Sequence, residues 1–138
     1  MSLADVTWID LPTVDDERGM LTSIEARRQI PFDIRRVFYL HRVCGERGGH
    51  AHRSTQQLLL SVAGRFCVEL ADGTTSATYA MNDPHRGLFV PPLTWIRLAQ
   101  FSSDAVCLVL ANTHFDDVDY IRDWNAFVAL RHGERAPT

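Results

Sequence analysis

Hydrophobic and polar residues alternate along most of this chain in short runs separated by glycine, proline and Asp/Asn turns. Alternation with period two is the signature of strands that bury one face. The runs are Thr7 to Leu11, Met20 to Glu25, Arg36 to Val43, the stretch around His50 and His52, Gln57 to Ala63 and Arg65 to Leu70. They continue with Thr74 to Met81, Gly87 to Val90, Trp95 to Ala99 and Ala105 to Asn112. In the third run Val37, Tyr39 and His41 share one face and Phe38 and Leu40 the other. Asp72-Gly73 is a strong hairpin signal. Ala105 to Asn112 is almost continuously apolar, as expected of a central buried strand. Only near the C-terminus does the period lengthen: Val118, Ile121, Trp124 and Val128 recur at helical spacing, with Asp116, Asp117 and Asp119 crowding the start, where a cap and negative charge are favoured.

Roughly ten short strands and one terminal helix predict an all-β domain, a jelly roll built as a double-sheet sandwich or barrel. With 138 residues and no repeat, low-complexity stretch or linker, residues 1–138 are expected to form a single domain with a frayed tail from about His132. A net charge of -3 gives no electrostatic case for nucleic acid, and the absence of an apolar run near 18 residues gives none for a membrane span. Every basic side chain is arginine, which suits bidentate phosphate binding. Cys44, Cys67 and Cys107 are odd in number, and the last two lie in apolar runs. Buried free thiols in a reducing compartment, and so a cytoplasmic protein, are expected.

The candidate chemistry centres on Arg47-Gly48-Gly49-His50-Ala51-His52. In an extended strand His50 and His52 point the same way, and paired imidazoles hold a metal or move protons near neutral pH. A histidine pair entering a jelly-roll strand resembles the cupins. Laid on their metal motif, Gly45, His50, His52 and Gly64 fall near the expected places, but the acidic position holds Gln57 and the second motif supplies Ile96 where a histidine belongs. Two of the four ligands are missing, and a neutral amide replaces a carboxylate poorly on a divalent ion. Metal-free acid–base chemistry on an anionic small molecule is the stronger expectation.

A closer resemblance covers residues 7 to 128. Arg18-Gly19-x-Leu21, Ile30-Pro31-Phe32-Asp33-Ile34-x-Arg36, Phe38-Tyr39 and Arg47-Gly48-x-His50-Ala51-His52 occur in the order seen in the sugar 3,4-ketoisomerases, the WxcM-like cupins. Gln56-Gln57, Gly64, Asp72-Gly73, Asn82-Asp83-Pro84, Gly87-Leu88, Pro92 with Trp95, and Asp119-Tyr120-Ile121-Arg122-Asp123 continue it. The resemblance implies an isomerase, a homodimer without metal or other cofactor, acting on dTDP-4-keto-6-deoxyglucose. It implies His50, His52 and Tyr39 as catalytic groups. Arg47 and Arg18, in its Arg18-Gly19 motif, are the candidates for the diphosphate, Gln57 for the sugar and Trp95 for stacking on the base. Glu46 stands where some relatives carry a basic residue, which removes one phosphate contact.

The competing readings are a nucleotide-sugar 3,5-epimerase, a metal-dependent cupin oxygenase and a sugar-binding module without catalysis. An epimerase is expected to pair its histidine with an aspartate, and the sequence displays no such dyad. The terminal helix, with Tyr120 and Trp124, is expected to pack on the sheet as a lid outside the site.

Overall fold

A computed structural model describes residues 3–135, with twelve strands and one α-helix. The first sheet has the order β1 (Thr7–Asp10), β9 (Arg86–Val90), β6 (Gln57–Ala63), β11 (Val106–Ala111) and β4 (Arg36–His41). The second runs β12 (Tyr120–Ile121), β5 (Arg47–His52), β10 (Trp95–Ala99), β7 (Phe66–Ala71) and β8 (Ser76–Met81). All pairings in both are antiparallel. The hairpin of β2 (Thr13–Asp16) and β3 (Gly19–Thr22) stands apart as a two-stranded sheet. The two large sheets face each other as a jelly roll.

The strand alternation decides what lies between the sheets. Leu59, Leu88, Val90 and Val109 of the first sheet meet Phe66, Val68, Leu70, Ile96 and Leu98 of the second in the main core. Their sequence neighbours Leu58, Leu60, Phe89 and Leu110 point the other way, into a second cluster closed by Leu11, Ile30 and Phe32. The first sheet is therefore covered on both faces near β6, which explains why Leu58-Leu59-Leu60 is unbroken by polar residues. Cys107 is buried there, and burial pushes its thiol up to about 12; Cys67 is half-buried and Cys44 exposed.

The helix α1 spans Trp124–Arg135, beginning at the third of the spaced apolar residues rather than at Val118. Asp123 caps it, its Oδ2 accepting from the Ala126 amide at 2.8 Å. The upstream acidic cluster serves a different turn, in which Asp116 accepts from the Val118 amide ahead of a 3-10 helix, Asp117–Asp119. Val118 and Ile121 matched helical spacing by coincidence: Ile121 belongs to β12, and Val118 is exposed. The described helix continues through His132 to Arg135, and residues 136–138 of the expected frayed tail lie outside the described residues.

Phe127 anchors α1 to the outer face of the second sheet, where it meets Ala51, Leu93 and Ile121 and packs with its ring tilted against those of Trp95 and Trp124. The buried Arg131 adds a hydrogen bond from Nη1 to the Leu93 carbonyl at 2.8 Å. Phe127 is completely buried, so Phe127→Ala is expected to lower stability by about 3–5 kcal/mol. A thermal melt reads this as a fall in Tm of roughly 10–17 °C.

Candidate active site

β5 carries the histidines, and its path depends on two glycines. Gly48 has φ of 102° and Gly49 of 79°, both in the left-handed region. The β5–β10 register slips here: Ile96 faces His50 while the adjacent Arg97 faces Gly48, so Gly49 is the extra residue of a bulge. Beyond it the strand regains its alternation. Ala51 turns outward under α1, and His50 and His52 turn inward to a cavity of about 550 Å³ between the sheets. That size suits a small-molecule site.

The two rings lie 5.1 Å apart, edge to face. They differ in their partners. His52 Nδ1 is 2.9 Å from Asp119 Oδ2, a carboxylate that also accepts from the Thr55 hydroxyl, the Ser54 amide and the Ser54 hydroxyl. Asp119 is thereby held well down, to about 2, its hydrogen bonds outweighing burial, and it stays ionised. An ionised carboxylate only accepts, so His52 Nδ1 carries the proton and Nε2 is left with a lone pair. Nε2 lies 3.4 Å from the amide nitrogen of Gln57. Burial lowers the pKa of His52 on balance, with Asp119 opposing. His50 is brought down to about 4, first by burial and then by His52 and Arg122. Both imidazoles are therefore neutral at pH 7 and able to accept a proton.

Tyr120 joins them from β12, its ring 5.1 Å from His50 and 4.5 Å from His52. Arg36, Arg47 and Arg122 also border the cavity. Arg36 lies between the rings of Phe38 and Phe115, and its buried Nε has no hydrogen-bond partner among the described residues. Arg122 sits over the Tyr120 ring and pairs with Asp117. Glu46 does not oppose the arginines alone, because Arg97 pairs with it and with Glu69. No group of three His, Cys, Asp or Glu side chains converges as a metal-ligand set among the described residues.

Of the residues singled out from sequence, His50, His52, Gln57 and Arg47 come together at this cavity. Tyr39 does not: β4 turns Arg36, Phe38 and Leu40 inward, which leaves Tyr39 on the outer face beside His41. Trp95 likewise faces outward, against Trp124 and Phe127, while its neighbour Ile96 lines the cavity. Arg18 and Gly19 sit at the tip of the β2–β3 hairpin, where Arg18 pairs with Asp16 in solvent. Conversely, Asp119 and Tyr120 were expected outside the site, in the helix and its cap. The signal available in the sequence was the alternation Tyr120, Ile121, Arg122, in which the polar pair faces the cavity and Ile121 faces the helix. The aspartate–histidine dyad missing from the linear sequence joins residues 52 and 119.

Such a site can move protons on a small anionic substrate, and the jelly roll around it is that of the cupins. The chain belongs to the FdtA family (WxcM-like, C-terminal), which matches residues 4–132. It is 40% identical over 121 residues to the TDP-4-oxo-6-deoxy-alpha-D-glucose-3,4-oxoisomerase of Aneurinibacillus thermoaerophilus, covering 86% of this chain and 87% of that protein. The sugar 3,4-ketoisomerase QdtA of Thermoanaerobacterium thermosaccharolyticum, crystallised with TDP, superimposes with a TM-score of 0.94 at 33% identity, over 97% of this chain and 99% of its own. A 3,4-ketoisomerase from Helicobacter canadensis gives 0.90 at 32% identity, over 93% and 98% of the two chains.

Proposed function

We propose that this protein is a nucleotide-sugar 3,4-ketoisomerase that converts dTDP-4-keto-6-deoxyglucose into a dTDP-3-keto-6-deoxyhexose. The reaction moves a carbonyl from C4 to C3 and is redox-neutral, so the sugar supplies both oxidant and reductant and no cofactor is required. The C3 proton, acidified by the adjacent C4 carbonyl, leaves to a base and gives an enediol. A proton then arrives at C4, and the hydroxyl proton passes between O3 and O4. Two neutral imidazoles within 5.1 Å of one another can serve carbon and oxygen separately, and this pairing at the floor of the cavity carries the reading. Tyr120 and the Gln57 amide supply donors toward the developing oxyanion. Arg36, Arg47 and Arg122 offer guanidinium groups to the diphosphate.

The deciding experiment is proton NMR of dTDP-4-keto-6-deoxyglucose incubated with the metal-stripped protein in deuterated water. A 3-keto product bearing deuterium at C4 is expected. The aspartate–histidine dyad also fits a 3,5-epimerase. Deuterium at C3 and C5 with the carbonyl still at C4 would establish that reading instead, and unchanged sugar would point to a binding module.

The active form is a homodimer on this proposal. The hairpin exposes Val14, Met20 and Leu21, and the outer side of the first sheet exposes Val37, Tyr39 and Val62. β4 is also an open sheet edge with unpaired backbone groups. A second copy covering these surfaces gives Tyr39 and the hairpin residues Arg18 and Gly19 a place in the interface between copies. Val37→Asp together with Leu21→Asp is expected to convert the dimer to monomer, read by light scattering after size exclusion.

A further inference from the structure

Building on the ketoisomerase reading, we propose that Asp119 is a positioning residue that locks His52 in its Nδ1–H tautomer, so that Nε2 faces the substrate as the proton-accepting atom. The geometry supports this on three counts. The Nδ1 contact is 2.9 Å to Oδ2, and the other carboxylate oxygen is fixed by the Ser54 amide and hydroxyl, both at 2.8 Å. Thr55 also donates to Oδ2, so both carboxylate oxygens are held by donors other than the imidazole. Backbone pairing reinforces the arrangement: Tyr120 faces His52 across β12 and β5, and the Arg53 amide donates to the Asp119 carbonyl at 2.8 Å.

The proposal makes the two histidines unequal. His52 has a carboxylate to stabilise its imidazolium when it takes a proton, as in the aspartate–histidine pairs of hydrolytic triads. No carboxylate pairs with His50 among the described residues. The other charged and titratable groups facing His52 are His50 from its own strand, Tyr120 and Arg122 from β12 and the residue after it, and Arg36 from β4. Burial first, and then the two arginines, disfavour the imidazolium, and Asp119 favours it. Removing that carboxylate therefore lowers the pKa of His52 and, without an acceptor-only partner at Nδ1, frees the ring to shift its proton to Nε2.

The test is a nitrogen–proton correlation spectrum of the histidines in the full-length protein, alongside pH profiles of kcat/KM. In the wild-type protein His52 is expected in the Nδ1–H form. Asp119→Asn is expected to lower kcat about a hundredfold or more, leave the affinity for dTDP within about threefold, and move the acidic limb of kcat/KM to lower pH. Asp119→Glu is expected to restore part of kcat and return the limb toward the wild-type position. Ser54→Ala removes one of the three donors that hold the carboxylate besides His52, and is expected to displace the limb in the same direction by less than Asp119→Asn. An Nε2–H tautomer in the wild-type protein overturns the proposal, even if Asp119→Asn fails to fold. A wild-type pH profile in Asp119→Asn, or a limb displaced further in Ser54→Ala than in Asp119→Asn, overturns it as well. A wild-type protein that leaves the keto sugar unchanged would fail the ketoisomerase reading instead, while the tautomer remains open to measurement.

Discussion

His52→Asn is expected to lower kcat on dTDP-4-keto-6-deoxyglucose by about a thousandfold, within the range that positioned proton transfer contributes. An amide has no basic nitrogen at neutral pH, so the proton-accepting site is lost. The amide NH₂ can still donate toward Asp119 from about the place of Nδ1, and Asp119 keeps its Ser54 and Thr55 donors, so the loop stays in place. Fold and nucleotide affinity should therefore survive: a Tm close to wild type and little change in the dissociation constant for dTDP, measured by calorimetry. A collapse of binding in parallel with kcat would mean that His52 holds the substrate rather than moving its protons.

The same histidines set a pH dependence whose sign is determined by burial. His50 keeps its neutral form down to about 4, whereas in the unfolded chain it takes a proton near the ordinary value of 6.5. Its contribution to stability is complete above the unfolded value and is lost as the pH falls through the window from 6.5 toward 4. Stability measured by denaturant titration should fall on acidification across that window, and His50→Asn should flatten the slope.

Gly48→Ala is the second substitution expected to have a large effect, and it acts without touching a catalytic group. A Cβ at position 48 would lie 2.8 Å from the Ile96 carbonyl oxygen and 3.0 Å from the Arg97 Cα, both backbone atoms of the paired strand that cannot rotate away. The φ of 102° adds conformational strain for any side chain. The strain alone costs about 1–3 kcal/mol, and relief requires β5 to separate from β10 at the bulge that aims His50. A displacement of an ångström at the histidines is enough for roughly a hundredfold loss of kcat. Stability and kcat should fall together, whereas Gly45→Ala, with nothing within 4 Å of the added carbon, should spare the histidine geometry. Equal effects from both substitutions would remove the bulge from the account.

Much of this was legible in the linear chain because strand alternation is a local property. The period-two runs located ten of the twelve strands within a few residues, and the spacing of His50 and His52 alone placed both rings on one face. The continuous run at β11 announced a strand paired on both sides, as its contacts with β4 and β6 bear out. The elements that were missed are short and lack their own periodicity. β12 has two residues and exists only because β5 offers it an edge, so Val118 and Ile121 read as the start of a helix.

Which face of a strand meets the cavity is a different kind of question. The alternation of β4 separates Tyr39 from Phe38 and Leu40, but nothing in that run says which set turns inward. The packing of β4 against β11 and the opposing sheet decided for Phe38, and sent Tyr39 outside. Trp95 and Ile96 pose the same choice, settled by where α1 docks. The partnership of His52 with Asp119 spans 67 positions and arises because β12 pairs with β5, a tertiary event with no local signature. The sequence by itself thus determined the strands, the jelly-roll class and the histidine pair, all of which follow from short-range periodicity. The tertiary structure alone decided the orientation of each strand, the carboxylate beneath His52 and the placing of Arg36 and Arg122 beside Arg47 at the cavity, because these depend on packing between segments far apart in the chain.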